Sequence, residues 1–274
     1  TVYTVTGVSA AGCTNTRTLS LVVSNPTVNA VASPTAICAG ASATLTGSGA
    51  STYTWNPGAL SGTNVVVTPT ATTIYTVAGT TTLGCTATRT VNLVVNPNPT
   101  VTAVSNPTAI CAGASATLTG SGATTYSWNP GAITGTNVVV TPTATTVYTI
   151  TGNSGSCSNT TTVSVTVNSI PTLTATSNPT AICAGASATL TGNGATSYTW
   201  NPGALTGTAT VVTPTATTIY TVTGSSINGC TNSQTVSLTV NPIPTLTVGA
   251  ASTTICAGST ATIGAIGATS FTWN

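Results

Sequence analysis

Eleven residues, ICAGASATLTG, run from Ile37 to Gly47 and return letter for letter at Ile110–Gly120 and Ile182–Gly192. A looser version, ICAGSTATIGA, begins at Ile255. The cysteines of this motif, Cys38, Cys111, Cys183 and Cys256, follow one another at intervals of 73, 72 and 73 residues. A second series, Cys13, Cys85, Cys157 and Cys230, keeps the same beat. A catalytic loop needs writing once, whereas a period this long and this regular marks tandem units, each large enough for its own core.

Within one period the local pattern is that of strands. In the second copy, TVTAV (Thr100–Val104) alternates apolar and polar residues, and SNPTAICAG supplies a break, a short extended piece and a glycine turn. SATLTG (Ser115–Gly120) follows as a strand. TTYSWN then places Tyr126 and Trp128 two apart and so on one face. NPGAITG is a turn cluster, NVVVTP (Asn137–Pro142) a strand closed by proline, and TTVYTITG (Thr145–Gly152) alternates again. CSNTTTVSVTV (Cys157–Val167) shows the strongest alternation. About seven short strands with no helical period predict an all-β chain of tandem immunoglobulin-like Greek-key β-sandwiches in a linear array.

The expected domains are complete repeats at 26–97, 98–170 and 171–242. They are flanked by the C-terminal part of a repeat at 1–25 and the N-terminal part of one at 243–274. Joints such as SNPTV (Ser24–Val28), NPNPTV (Asn96–Val101), NSIPTL (Asn168–Leu173) and NPIPTL (Asn241–Leu246) are short and proline-bearing. They predict stiff connections and end-to-end stacking. The two flanking fragments are complementary in strand order, which raises head-to-tail strand exchange. A window within a longer array is the favoured expectation, because a middle strand is missing between them.

Composition removes whole classes of function. The chain has no Asp, Glu or His, and its only basic side chains are Arg17 and Arg89. General acid–base chemistry and the catalytic triads need groups that are absent. Hard-metal sites lack carboxylates, and no cysteine pair has zinc-site spacing. Two arginines cannot neutralise a run of phosphates, so nucleic-acid binding is not expected. Apolar runs such as VNLVV are far shorter than the roughly 20 residues of a spanning helix. No catalytic, cofactor-binding or metal residue is therefore expected. Because 40% of residues are hydrophobic and the aromatics recur at fixed places, the chain is expected to fold.

Two cysteines per repeat predict disulfides. Pairing inside each repeat, Cys38–Cys85, Cys111–Cys157 and Cys183–Cys230, is the favoured expectation, since one isolated domain then completes its own bond. Cys13 and Cys256 would find partners outside the window. A geometric objection stands beside it. In an immunoglobulin topology the two cysteines lie at opposite ends of a domain, and strands of six residues span about 20 Å. Bridged Cα atoms lie within about 7 Å. The alternative, Cys38–Cys157 and Cys111–Cys230, joins neighbouring repeats. Of the aromatics, Trp55, Trp128, Trp200 and Trp273, one per repeat, are expected in the core beside Tyr53, Tyr126, Tyr198 and Phe271. The rival use is a sugar-stacking platform. Tyr3, Tyr75, Tyr148 and Tyr220 are read as core residues whose hydroxyls bond backbone at a corner. Asn159, in NTT, is the only N-x-S/T sequon without proline.

The motifs ICAGxSxTLTG, YxWNPG, TPTATTxYTVTG and GCTxTxTVxLxV resemble the Ig-like and PKD-like repeats of very large Bacteroidota surface proteins. These include gliding and attachment adhesins and other cargo of the type IX secretion system. The resemblance spans all three complete repeats and both fragments. It implies a secreted, cell-surface stalk or filament, with any ligand-binding tip elsewhere. The chain departs from the usual pattern in having no acidic residues, which removes the ligands for calcium-rigidified joints. The expected function is thus a structural shaft giving length, stiffness and chemical resistance, its partners being neighbouring repeats of the same chain. Uncharged strand edges predict either a glycan cover on Thr and Ser or lateral packing of copies. The alternative is a set of multivalent glycan- or ligand-binding modules of an adhesin or secreted enzyme. With no carboxylate or imidazole to titrate, stability should be flat in the acid range. Thermal midpoints at pH 3 and pH 8 are expected to coincide. A difference above about 5 °C, equivalent to about 1 kcal/mol in a domain of this size, would contradict that.

Overall fold

The computed structural model describes residues 1–274, and every regular element in it is a β-strand. By compactness the chain divides into two units. The first comprises 1–106, 117–139 and 147–164, and the second 107–116, 140–146 and 165–274. The division passes through the repeat at 98–170 rather than between repeats.

The first unit opens with β1 (Val2–Val8) and β2 (Thr14–Ser20), an isolated antiparallel hairpin. A complete sandwich follows. One sheet holds β3 (Asn29–Ser33), β5 (Ala43–Ser48) and β8 (Asn64–Val67) in the order β3-β5-β8. The other holds β4 (Ala36–Cys38), β6 (Thr52–Asn56), β7 (Leu60–Ser61), β9 (Thr73–Thr80) and β10 (Thr86–Asn96), ordered β4-β10-β9-β6-β7. All pairings are antiparallel except β4 with β10, which is parallel. This is the immunoglobulin arrangement, with its first strand divided between the two sheets. The short extended piece read from the sequence around AIC is the second half of that strand.

Alternation explains which face each strand buries. In β5, Ala43, Leu45 and Gly47 point inward while Thr44 and Thr46 are half-buried. In β9, Tyr75, Val77 and Gly79 do the same, and β8 contributes Val65 and Val67. These side chains gather around Trp55, which has no exposed surface, together with Leu93, Val95 and Ile37. The indole Nε1 donates to the Gly62 carbonyl at 3.0 Å, so its one polar group is satisfied. Gly47 is required by close approach: a Cβ there would fall 2.7 Å from the ring of Tyr53.

The middle repeat carries the same series: β11 (Thr102–Asn106), β12 (Ala109–Cys111), β13 (Ala116–Ser121), β14 (Thr125–Asn129), β15 (Ile133–Thr134), β16 (Asn137–Val140), β17 (Thr146–Ser154) and β18 (Cys157–Asn168). Within the first unit β11 pairs with β13, and β14 with β17 and β15. Within the second, β12 runs parallel to β18. The second unit then builds a full sandwich from β19 (Thr174–Asn178), β20 (Ala181–Cys183), β21 (Ala188–Asn193), β22 (Ser197–Asn201), β23 (Leu205–Thr206), β24 (Ala209–Val212), β25 (Thr218–Ser225) and β26 (Thr231–Asn241). Its sheets are β19-β21-β24 and β20-β26-β25-β22-β23, around Trp200, Leu190, Val222 and Leu238. β27 (Thr247–Ala250) and β28 (Ile263–Ile266) end the chain as a separate two-stranded sheet.

Trp55→Ala should destabilise its sandwich by about 3–5 kcal/mol, through the cavity and the lost hydrogen bond. A chemical-denaturation midpoint indistinguishable from that of the parent chain would contradict this packing.

Candidate functional site: the staple between repeats

The cysteines are placed by strand register. β4 runs parallel to the end of β10, so Cys38 stands opposite Asn96, the last residue of that strand. Cys85 immediately precedes Thr86, the first residue of the same strand. Eleven residues of extended chain separate Cys85 from Asn96, roughly 36 Å at the rise of a strand. A disulfide tolerates only about 7 Å between Cα atoms. The middle and third repeats repeat the arrangement, with Cys111 opposite Asn168 and Cys183 opposite Asn241. Cys157 and Cys230 begin or precede the far ends of those strands.

The favoured pairings Cys38–Cys85, Cys111–Cys157 and Cys183–Cys230 are therefore corrected. Cys38 is bonded to Cys157 with a Cα–Cα distance of 5.5 Å, and Cys111 to Cys230 at 5.6 Å. Each bond joins residues 119 apart in sequence and ties one repeat to the next. The reason is topological. The first cysteine of a repeat lies at its exit, beside the linker. The second cysteine of the following repeat lies at that repeat's entrance, beside the same linker. Cys85 and Cys183 carry free thiols, as do Cys13 and Cys256.

Backbone and amide groups frame each staple. Ala39 N donates to Asn96 O at 3.0 Å, and Gly40, at φ +80°, donates to Pro69 O at 3.1 Å. The sulfur of Cys157 lies 3.9 Å from the Asn96 carbonyl, and that of Cys230 lies 3.8 Å from Asn168 O. Two residues beyond each of these cysteines an asparagine grips the linker. Asn159 Nδ2 donates to Pro99 O at 3.1 Å, and Asn232 Nδ2 to Pro171 O at 3.0 Å. The amide oxygens of both accept from the next backbone N–H at 2.9 Å. Asn98 Nδ2 adds a bond to Ala39 O at 3.2 Å across the first joint. Cys157 and Cys230 are buried. Sequence alone does not single out the clamp asparagines, although Cys-x-Asn recurs at Cys13, Cys157 and Cys230. Asn159, the sequon asparagine, has its amide engaged in this grip.

The aromatics divide differently from expectation. Trp55, Trp128 and Trp200 are fully buried, each donating Nε1 to the carbonyl of the glycine that follows the next strand, at Gly62, Gly135 and Gly207. Trp273 is 54% exposed, and Phe271 and Tyr3 are exposed as well. Tyr3 lies on β1 of an isolated two-stranded sheet, and Phe271 and Trp273 follow β28 outside any strand, so no second sheet covers them. Tyr75, Tyr148 and Tyr220 are buried, but the backbone-bonding hydroxyls belong to another set. Tyr53, Tyr126 and Tyr198 each donate to and accept from a single alanine, Ala50, Ala123 and Ala195, at 2.7–2.9 Å. Burial raises the phenol pKa of Tyr75 and Tyr148. The stability they contribute is thus full below about pH 10 and is lost as pH rises through the raised pKa.

Concave surface is shallow and repeated. A groove lined by Pro57, Leu60, Val66, Pro69 and Tyr75 in one sandwich recurs at Pro202, Leu205, Val211, Pro214 and Tyr220 in another. No three His, Cys, Asp or Glu residues gather anywhere in the chain.

No protein-family model matches this sequence, and no curated protein does. Among solved structures, the chain is similar to a Ca²⁺-stabilised adhesin that helps an Antarctic bacterium reach out and bind ice. Identity there is 16% and the TM-score 0.35, over 88% of this chain and 81% of that one. A structure from a 1.5-MDa bacterial ice-binding adhesin matches at 17% identity and TM-score 0.32, over 80% and 99%. A three-domain immunoglobulin segment of titin matches at 12% identity and TM-score 0.34, over 75% and 95%.

Cys38→Ser should remove the first staple and lower stability by up to about 5 kcal/mol, the chain-entropy value for a loop of this length. Cys85→Ser should leave stability within about 0.5 kcal/mol of the parent. Equal losses in the two variants, measured by denaturation without reductant, would contradict the pairing.

Proposed function

We propose that this chain is a segment of the shaft of an extracellular bacterial filament or surface adhesin. Its domains in this reading are the repeats 26–97, 98–170 and 171–242. The observation that carries it is the staple, because a disulfide between successive repeats serves no single domain and instead makes the joint covalent. The near absence of charge suits a structure that must keep its mechanics across changing pH and salt. Disulfides suit an oxidising, extracellular setting. The resemblance of the repeat motifs to Bacteroidota surface repeats points the same way. The rival use of the tryptophans as a sugar platform has no support at Trp55, Trp128 and Trp200, whose rings are enclosed.

The staples also set how force passes through the chain. The loops closed by Cys38–Cys157 and Cys111–Cys230 overlap over residues 111–157. The shortest covalent path from Cys38 to Cys230 therefore crosses both bonds and only the 46 residues between Cys157 and Cys111. Pulled from its ends without reductant, this span should yield about 16 nm of contour. With reductant it should yield about 67 nm, at roughly 3.5 Å per extended residue. Single-molecule stretching reads the difference directly. Full extension in the absence of reductant would overturn the load-path reading.

A further inference from the structure

Asparagine followed directly by glycine occurs twice in the chain, at Asn193–Gly194 and Asn228–Gly229. Both dipeptides lie at the entrance of the third repeat, against the linker that leads into it. The Asn228 amide Nδ2 donates to Asn168 Oδ1 at 3.1 Å, and Gly194 abuts the backbone at Thr172 and Leu173. The other repeats differ at these places. Ser48, Ser121 and Ile266 stand where Asn193 stands, and Ala11, Leu83 and Gly155 where Asn228 stands. The glycine after Asn193 is dictated by the joint: at φ +98°, a Cβ on it would run into the Thr172 carbonyl. The asparagine is not so dictated, since Ser121 occupies the same strand end opposite Thr102 as Asn193 does opposite Thr174.

An asparagine amide is lost when the backbone nitrogen of the next residue, in its deprotonated form, attacks the side-chain carbonyl carbon. An N–Cγ bond forms, the Cγ–Nδ2 bond breaks, and the amide nitrogen leaves as ammonia with the displaced proton. Water then opens the five-membered imide at one carbonyl or the other, giving aspartate or isoaspartate with no oxidation or reduction. A glycine in the next position leaves the attack uncrowded. What separates the two sites is hydrogen bonding. At Asn228 the attacking nitrogen is tied down, Gly229 N donating to Ser226 O at 3.0 Å, and the amide is held by Asn168. The loop is pinned further by Ser226 N to Cys230 O at 2.8 Å and by the bond from Cys230 to Cys111. At Asn193 neither group is held: the residue is exposed, its amide has no partner in the chain, and no acceptor meets Gly194 N–H.

We propose that Asn193 is a deamidation site, converted by water to aspartate or isoaspartate while the chain stays folded, and that the loop around Asn228 protects the second dipeptide. The product is the chain's first side-chain carboxylate, and it lowers the formal net charge of +2 by one unit. Isoaspartate also inserts one methylene into the backbone immediately before Gly194, where the strand end meets Thr172. The joint into the third repeat thus acquires charge and backbone length with age. The matching position in the joint into the second repeat, Ser121, has no amide to lose. This chemistry is independent of the shaft reading.

The test ages the whole oxidised chain at mildly alkaline pH, with a portion held unfolded in denaturant. Samples are then reduced with a phosphine and digested with pepsin in acid, where the attack is arrested, and each asparagine is followed by mass spectrometry. Two hydrogen bonds must open at Asn228 and none at Asn193, so in the folded chain Asn193 should convert at least about tenfold faster. In denaturant the two rates should converge, because the fold and not the dipeptide sets the difference. Isoelectric focusing of the folded chain should show an early acidic form in the parent and in Asn228→Ser, and none in Asn193→Ser. Conversion of Asn228 at an equal or greater rate, an unchanged Asn193 in the folded chain, a gap that persists in denaturant, or an early acidic form in Asn193→Ser would overturn the proposal.

Discussion

The parallel pairing of Ala36–Cys38 with Val94–Asn96 sets the first cysteine of the repeat at the exit of its own sandwich, in register with the last strand residue before the linker. Position along β10 is what matters: β4 pairs with its last three residues, which leaves Cys38 and Cys85 at opposite ends of an eleven-residue strand. From that register follow the staple to Cys157, the carbonyl of Asn96 beside the bond, and the grip of Asn159 on Pro99. The second unit repeats the arrangement at Cys111, Asn168, Cys230 and Asn232.

Stability in such a chain divides between two sources. The repeats around Trp55 and Trp200 each hold a small apolar core closed over one tryptophan. Cores of this size leave a modest margin. The disulfides add to it by restricting the unfolded chain, and the restriction grows with loop length. Joining repeat to repeat closes loops of 119 residues rather than the shorter span within one repeat. Surface ion pairs, which contribute little individually in any protein, are replaced here by nothing at all. The consequence is a scaffold with almost no pH-dependent part below the range in which tyrosine ionises.

Much of this was legible in the sequence. The period, the alternation in SATLTG and NVVVTP, and the pairing of Tyr and Trp two residues apart gave the all-β sandwich directly, because strand burial follows a period of two. The disulfide partners were legible only as two alternatives: the opposite-ends geometry pointed to Cys38–Cys157 and Cys111–Cys230, but the placement of Ala36–Cys38 beside the last residues of β10, which decides it, carries no sign in the sequence. The hydroxyl bond was assigned to Tyr75 when Tyr53 makes it: both rings are buried, but only Tyr53 lies three residues from a turn with a free N–H and carbonyl at Ala50. Trp273 shows the opposite limit. Its motif is that of a core residue, but burial requires a facing sheet as well as a motif.

The pairing of Cys38 with Cys157 is tested most directly by one cut. Arg89 lies between Cys85 and Cys157, so trypsin separates a fragment holding Cys38 and Cys85 from one holding Cys157. After alkylation and cleavage in denaturant without reductant, Thr18–Arg89 and Thr90–Asn274 should remain joined and should part only when reductant is added. Separation of the two fragments before reduction would show that Cys38 is not bonded to Cys157 and would contradict the staple between repeats.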